Sequence, residues 1–439
     1  METIIMIAQL ILGLSILVGV HEFGHLLAAK AFGMRVEQFS IGFPPKIFSF
    51  KYGETEYSLS AIPLGGFVKI SGMIDESLDT KNLSKEPEPY EFRAKPAWQR
   101  LIVMLGGIIV NVIVGIIIFV FITFGYGESY IPKDVVVNNG VYAYDLGQEI
   151  GLQTGDKIIA LNGQDYRKFD DLTNADVLLT DNSYYTVLRN GEEVKVTIPN
   201  DMLDRITEDN DRVDFIEPLF PFKVGAVQPQ SNADMAGLKE GEKIVAINGQ
   251  PVKYFQEFKE ELGQHKNQRV ALAIKQGEGI ARTDSVLVSD DGTIGFAVDM
   301  DVDLAHQDFS FGESISIGTK KAFGVVWTNI RAFGKIFKGE VSASKSLSGP
   351  IGIAQIFGGE WIWSKFWAIC GLLSMVLAFM NLLPIPALDG GHVVFLSYEI
   401  ISGRKPSDKF LEGAQKVGMV LLLGLMAFAI FNDIWKAIF

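Results

Sequence analysis

Residues 18–27 read Val18-Gly19-Val20-His21-Glu22-Phe23-Gly24-His25-Leu26-Leu27, an H-E-x-x-H sequence inside an apolar run. Upstream, Ile4 to Val20 carries no charge and one polar side chain of any size, Gln9. Downstream, Leu26-Leu27-Ala28-Ala29 resumes the apolar run. On a helix, positions i and i+4 share a face, so His21 and His25 can offer two imidazoles to one zinc ion. Glu22 sits beside that ion and can take a proton from a zinc-bound water. The five-residue pattern alone is only moderately specific; its setting adds the rest. Ionisable groups at membrane depth are expensive and mark function by default. The competing reading is a soluble core helix with a buried histidine. It requires a partner for each of three ionisable groups in apolar surroundings.

The chain has 439 residues, enough for several domains, and 48% of them are apolar. Charged residues concentrate between about Gly127 and Asp308 and are sparse in the long apolar runs. That contrast implies membrane spans flanking a soluble insert. The net charge of -13 comes largely from the insert, which argues against nucleic acid as a partner. The single cysteine, Cys370, rules out a disulfide framework within the chain and a cysteine metal cluster. The first apolar run has no basic region before it and no small-residue cleavage site before His21. It reads as a retained span rather than a removed signal peptide.

Four segments reach spanning length: about Ile4 to Phe32, Trp98 to Phe124, Trp361 to Leu383 and Val417 to Phe439. The expected fold is therefore a polytopic α-helical membrane protein with four transmembrane helices. Lys30, Arg35, Lys46, Lys51, Arg93, Lys95 and Arg100 lie between the first two spans. Arg404, Lys405, Lys409 and Lys416 lie between the last two. By the positive-inside rule both short loops are cytoplasmic, so both termini and the large insert lie outside.

Within the first loop, Tyr52 to Ile62 and Gly66 to Ser71 are short alternating runs joined by Pro63-Leu64-Gly65-Gly66, which reads as a β-hairpin. It is either a cytosolic flap or a membrane-associated β-element with an edge for an unwound partner strand. Ser77 to Glu91 is polar and contains proline, as a mobile loop does. The second span holds Gly106-Gly107 and then Asn111. Small residues permit close helix approach, and the asparagine serves either ordinary span packing or the site.

The insert contains a repeat. Gly151-Leu152-Gln153-Thr154-Gly155-Asp156-Lys157-Ile158-Ile159-Ala160-Leu161-Asn162-Gly163-Gln164 recurs, with substitutions, from Gly237 to Gln250. The period of about 86 residues is one small domain. Each copy resembles a PDZ domain of the bacterial, circularly permuted type, the first over about 127–222 and the second over 223–308. PDZ domains bind peptide ends by strand addition; these copies either do so or act as a bulky gate. After them, Phe323, Val326, Trp327, Ile330, Phe333 and Phe337 fall at helical spacing with basic residues interleaved. That pattern fits an amphipathic helix lying on the outer membrane surface. The layout is then 1–126 for the first two spans and β-hairpin, the two PDZ copies, 309–358 for the surface helix and connector, and 359–439 for the last two spans.

A hydrolytic zinc takes three protein ligands and leaves one position for water. Asn381-Leu382-Leu383-Pro384-Ile385-Pro386-Ala387-Leu388-Asp389-Gly390-Gly391-His392 closes the third span. Its prolines break the helix at membrane depth, tolerated where backbone lines a cavity. Asp389 is an isolated carboxylate there and the best candidate for the third ligand. The alternative is a cap on the helix that follows.

The pairing of His-Glu-x-x-His with Asn-x-x-Pro-x-x-x-x-Asp-Gly resembles the site-2 protease family of intramembrane metalloproteases. Gly107-x-x-x-Asn111, the tandem insert, Ser348-Gly349-Pro350-Ile351-Gly352-Ile353 and the four-span layout extend the resemblance across most of the chain. The resemblance implies zinc held by His21, His25 and Asp389, with Glu22 as general base and later proton donor. It implies a substrate strand paired along the β-hairpin at Gly65, Gly66, Phe67 and Val68, with Asn381 holding the substrate backbone and Asn111 close by. The implied substrates are single-span proteins already shortened outside the membrane, such as a clipped anti-sigma factor, and leftover signal peptides. The implied location is a bacterial inner membrane. Two other functions remain open: a membrane-anchored zinc protease cutting outside the bilayer, and a non-catalytic PDZ receptor.

Overall fold

Gly24 and Gly106 bring the first two long helices into backbone contact. These are α1 (Glu2–Ala31) and α2 (Ala97–Tyr126) in a computed structural model that describes residues 2–73, 86–206, 215–276, 279–339 and 349–438. A Cβ added at Gly24 would stand 2.3 Å from the Gly106 carbonyl oxygen, and one at Gly106 would stand 2.6 Å from that of Gly24. Lipid gives apolar helices no hydrophobic reason to associate, so close packing of small residues supplies the contact. The remaining described helices outside the insert are α3 (Phe311–Lys338), α4 (Pro350–Phe357), α5 (Trp363–Leu382), α6 (Asp389–Ser402) and α7 (Asp408–Ile438).

Four of these helices, α1, α2, α5 and α7, are long and apolar enough to cross a membrane among the described residues. They match the four expected spans, although α7 begins well before Val417. Their outward apolar side chains are exposed, as with Ile4, Phe121, Val420 and Phe431. A surface so apolar is covered by lipid rather than water. α5 packs on α2 through Gly371 against Ile118, Gly115 against Met375, and the Ser374 hydroxyl, which donates to the Asn111 carbonyl at 2.8 Å.

α3 departs from expectation. A helix lying flat on the outer surface would touch the bundle at one level, whereas α3 runs along α2 and α5. Phe311 meets Phe124, Gly318 lies against the Val120 backbone, and Phe333 lies 5.6 Å from Phe379. The absence of a side chain at Gly318 permits the close crossing. The helix thus packs within the bundle through Phe311, Gly318 and Phe333, while Phe323, Trp327 and Ile330 of the amphipathic pattern stay exposed.

The loop between α1 and α2 forms two long strands, β1 (Val36–Tyr52) and β2 (Thr55–Ile70). Their tight turn is at Gly53, whose φ of 61° favours glycine. Phe39 pairs with both Val68 and Tyr57, so the first half of β1 has two segments of β2 as neighbours. The expected hairpin between 52–62 and 66–71 is corrected accordingly. Those segments pair with β1, and Pro63-Leu64-Gly65-Gly66 carries the chain from one side of it to the other. Ser348 and most of the loop from Ser77 lie outside the described residues.

The insert, Ser129–Gln307, is a compact unit of its own. Its two halves repeat one topology. Lys157–Leu161, Tyr184–Arg189 and Glu192–Thr197 form an antiparallel sheet, as do Lys243–Ile247, Arg269–Gln276 and Gly279–Leu287. Val141–Ala143 pairs with Ile216–Pro218 as Phe222–Val227 pairs with Phe296–Met300. Each half has its own core, one around Tyr185 and Ile158, the other around Phe258 and Ile247. The Tyr185 hydroxyl donates to the Leu172 carbonyl at 2.5 Å, and burial pushes its pKa far above the usual range. Between the halves lies an apolar cleft of about 550 Å³, lined by Phe169, Leu178, Pro218, Phe220, Phe255 and Val298 among others.

Candidate metal centre

His21 and His25 lie one helical turn apart on α1, and their rings meet edge to face with centroids 4.9 Å apart. Asp389 is the first residue of α6. The segment before it is packed tightly. A Cβ at Gly390 would stand 2.1 Å from the Leu383 oxygen, and one at Gly391 would stand 2.7 Å from that of Ile385. Ala387, two residues before Asp389, has φ 78°, a left-handed conformation an alanine adopts only under constraint. Helix break, strained alanine and glycine pair together turn the Asp389 carboxylate toward α1.

Asp389 Oδ2 lies 3.1 Å from His21 Nε2 and 3.3 Å from His25 Nε2, and the two Nε2 atoms are 3.3 Å apart. The three side chains form a group able to hold a metal ion. Ligands about 2.0–2.1 Å from a tetrahedral zinc stand roughly 3.3 Å from one another, so the triangle has the size such an ion requires.

The donor chemistry points the same way. The His25 ring donates through Nδ1–H to the Val103 carbonyl at 2.8 Å, so the neutral ring presents a lone pair at Nε2. That lone pair faces a carboxylate oxygen and a second imidazole nitrogen. Asp389 Oδ2 is buried and accepts no hydrogen bond. Electron pairs gathered so closely away from water call for a cation among them.

Asn111 fixes the other ring. It is completely buried, its amide lies 3.2 Å from His21 Nδ1, and its own Oδ1 is otherwise unsatisfied. With the amide turned so that Oδ1 faces the ring, His21 Nδ1–H donates to it and Nε2 is freed for the metal. Asn111 therefore stands against the His21 ring, and orienting that ring is the role its contact supports. Gly107 completes this wall, since a Cβ there would stand 2.6 Å from His25 Nε2 and from the His21 ring. The Val103 carbonyl was invisible to sequence reasoning, because every residue has one. Gly107 was visible only as part of a spacing pattern.

Asn381, at the end of α5, places its amide 3.3 Å from His21 Nε2 and so reaches the same centre. Of the expected strand residues, Gly66 comes closest. A Cβ there would stand 2.8 Å from Val18 and 3.2 Å from Glu22 Cγ. The Val68 backbone lies within hydrogen-bonding reach of the Glu22 carboxylate. Gly65 instead lies under the Phe43 ring. Phe67 pairs with Ser40 inside the sheet.

The sequence profile described as Peptidase family M50 matches residues 9–425. The chain belongs to that family. RseP, the regulator of sigma-E protease of Escherichia coli K12, is 30% identical over 97% of this chain and 98% of its own length. A protein of Salmonella typhi named regulator of sigma E protease is 29% identical over the same shares. A Vibrio cholerae protein with the provisional name zinc metalloprotease is 31% identical over 96% of this chain and 97% of its own. The M50 chain described here is accordingly a zinc metalloprotease that spans a membrane.

Proposed function

We propose that this protein hydrolyses peptide bonds within the membrane spans of single-pass proteins already shortened outside the bilayer. The observation that carries the reading is the closed triangle of His21, His25 and Asp389, drawn from two helices of the apolar bundle with Glu22 beside it. His21, His25 and Asp389 would hold zinc, which would supply Lewis acidity and acidify the water that attacks at neutral pH. Glu22 takes the proton of the attacking water and returns it to the leaving amine. Asn381 donates its amide to the substrate backbone beside the metal.

A helical substrate hides its carbonyls in internal hydrogen bonds, so it must unwind before attack. The Gly66–Ile70 segment of β2 runs past Glu22, and pairing along it replaces the backbone bonds the substrate gives up. Gly66 allows the approach because any side chain there would strike α1.

The insert acts as a pair of permuted PDZ domains on the outer side of a bacterial inner membrane. The repeated strand pairing supports the domain type, and the Lys and Arg bias of the short loops supports the orientation. Its bulk excludes intact ectodomains, and the natural substrates are a clipped anti-sigma factor and leftover signal peptides. The test is to co-express a tagged single-span substrate lacking its ectodomain with wild type or Glu22→Gln. Cleavage inside the substrate span that vanishes in the variant is expected. Cleavage outside the span, or identical products with both proteins, defeats the proposal. Deleting 129–307 is expected to admit longer ectodomains, and unchanged discrimination would remove the filter.

A further inference from the structure

Arg100 and Glu399 form a partly buried ion pair that the proposed chemistry does not use. Arg100 lies in the first turns of α2 and Glu399 in the second half of α6. Arg100 Nη2 is 2.5 Å from Glu399 Oε1, with the two side chains 9% and 17% exposed. Arg100 Nε also donates to the Lys95 carbonyl at 3.0 Å.

The helix this pair holds carries Asp389. α6 buries only Gly390, Gly391 and Leu396, while Val394, Tyr398, Ile400 and Ile401 are exposed. Leu396 sits among Leu26, Val103 and Met104. Apolar contact of this kind is non-directional, and between helices in lipid it leaves their relative register free. An ion pair with fixed partners does not. Ten residues of helix, about 15 Å, separate Glu399 from Asp389, so a slide at one end reappears at the other.

We infer that Arg100 and Glu399 are positioning residues that fix α6 against α2 and so, together with the tightly packed 383–391 segment, set where Asp389 stands relative to the two histidines. α2 already orients His25 through Val103 and His21 through Asn111, so the pair makes one helix the common reference for all three ligands. The inference rests on the reading of those three residues as the metal centre.

The test uses the full-length protein purified in detergent. Zinc affinity is measured by chelator competition, and the absorption bands of the cobalt-substituted protein report the geometry of the site. Glu399→Gln keeps the shape of the side chain and removes its charge; Arg100→Gln removes the charge on the other side with a shorter side chain. Each is expected to weaken zinc binding by about tenfold, the lower end for partners that touch the ligands themselves, and to shift the cobalt bands. The reversed pair, Arg100→Glu with Glu399→Arg, is expected to recover most of the loss. Single variants that bind zinc as tightly as wild type would overturn the inference. So would loss in both singles with no recovery in the reversed pair, which marks general destabilisation. A wild-type protein that binds no zinc would instead defeat the metal reading itself.

Discussion

His25 donates its Nδ1 proton to the backbone carbonyl of Val103 at 2.8 Å, so its Nε2 faces Asp389 as a lone pair. A main-chain acceptor on α2 thereby decides the tautomer of a side chain on α1. The centre is assembled between helices.

Glu22→Gln keeps the size of the side chain and removes the base. Proteolysis should fall at least about 100-fold, the lower end for loss of a general base. Zinc content should remain as in wild type, because Glu22 is not one of the three converging ligands. Elemental analysis alongside a cleavage assay checks both halves; loss of zinc with activity would make Glu22 a ligand.

Removing the metal with a strong chelator should abolish cleavage, and added zinc should restore it. Asp389→Ala should lower zinc affinity so far that added zinc no longer restores activity. Intact metal content and proteolysis in that variant would remove Asp389 from the centre.

Gly66→Ala places a methyl group 2.8 Å from Val18 and 3.2 Å from Glu22. Backbone on one side and α1 on the other leave it little room, so the strand must shift. Cleavage should drop about tenfold or more, in line with the sensitivity of such sites to displacements near 1 Å, while zinc binding persists. Wild-type turnover in Gly66→Ala would show that the strand does not carry the substrate.

Asp301, in the second half of the insert, pairs with both Lys223 and Lys243, which hold its carboxyl below the usual carboxylate range. A group with a depressed folded pKa contributes stability above its unfolded value near 4, lost as pH falls through the folded value. Asp301→Asn should therefore weaken this half near neutral pH by at most about 1 kcal/mol, since the pair is partly exposed. The difference should shrink and close as pH falls through the folded value. Amide exchange of the Phe222–Val227 strand reads it, and a pH-independent difference would rule out the ion pairs as its source.

Much of this arrangement is legible in the residues themselves. Apolar runs of spanning length mark α1, α2, α5 and α7, because crossing a bilayer is a demand on composition and length. The i, i+4 histidines mark their own face of α1 because helical geometry is local. The recurrence of Gly-Leu-x-x-Gly and Asn-Gly marks the repeat because each copy needs the same turns. The path of the β-element was not legible. Alternation finds strands, but which strands pair depends on the chain between them, and here β1 passes between two segments that look like a hairpin. Nor was the packing of α3, since an amphipathic helix shows the same pattern against lipid headgroups as against α2 and α5.

The sequence by itself determined that two imidazoles and a carboxylate sit inside an apolar helix, and it offered Asp389 as the best candidate for a third ligand. Periodicity and hydropathy are properties of neighbouring residues, and they suffice for that. Only the tertiary structure decided that Asp389 comes to 3.1 Å from His21, that Asn111 lies against the ring, and that Val103 sets the tautomer of His25. Those contacts join residues tens to hundreds of positions apart, and no local pattern encodes a distance that depends on how helices cross.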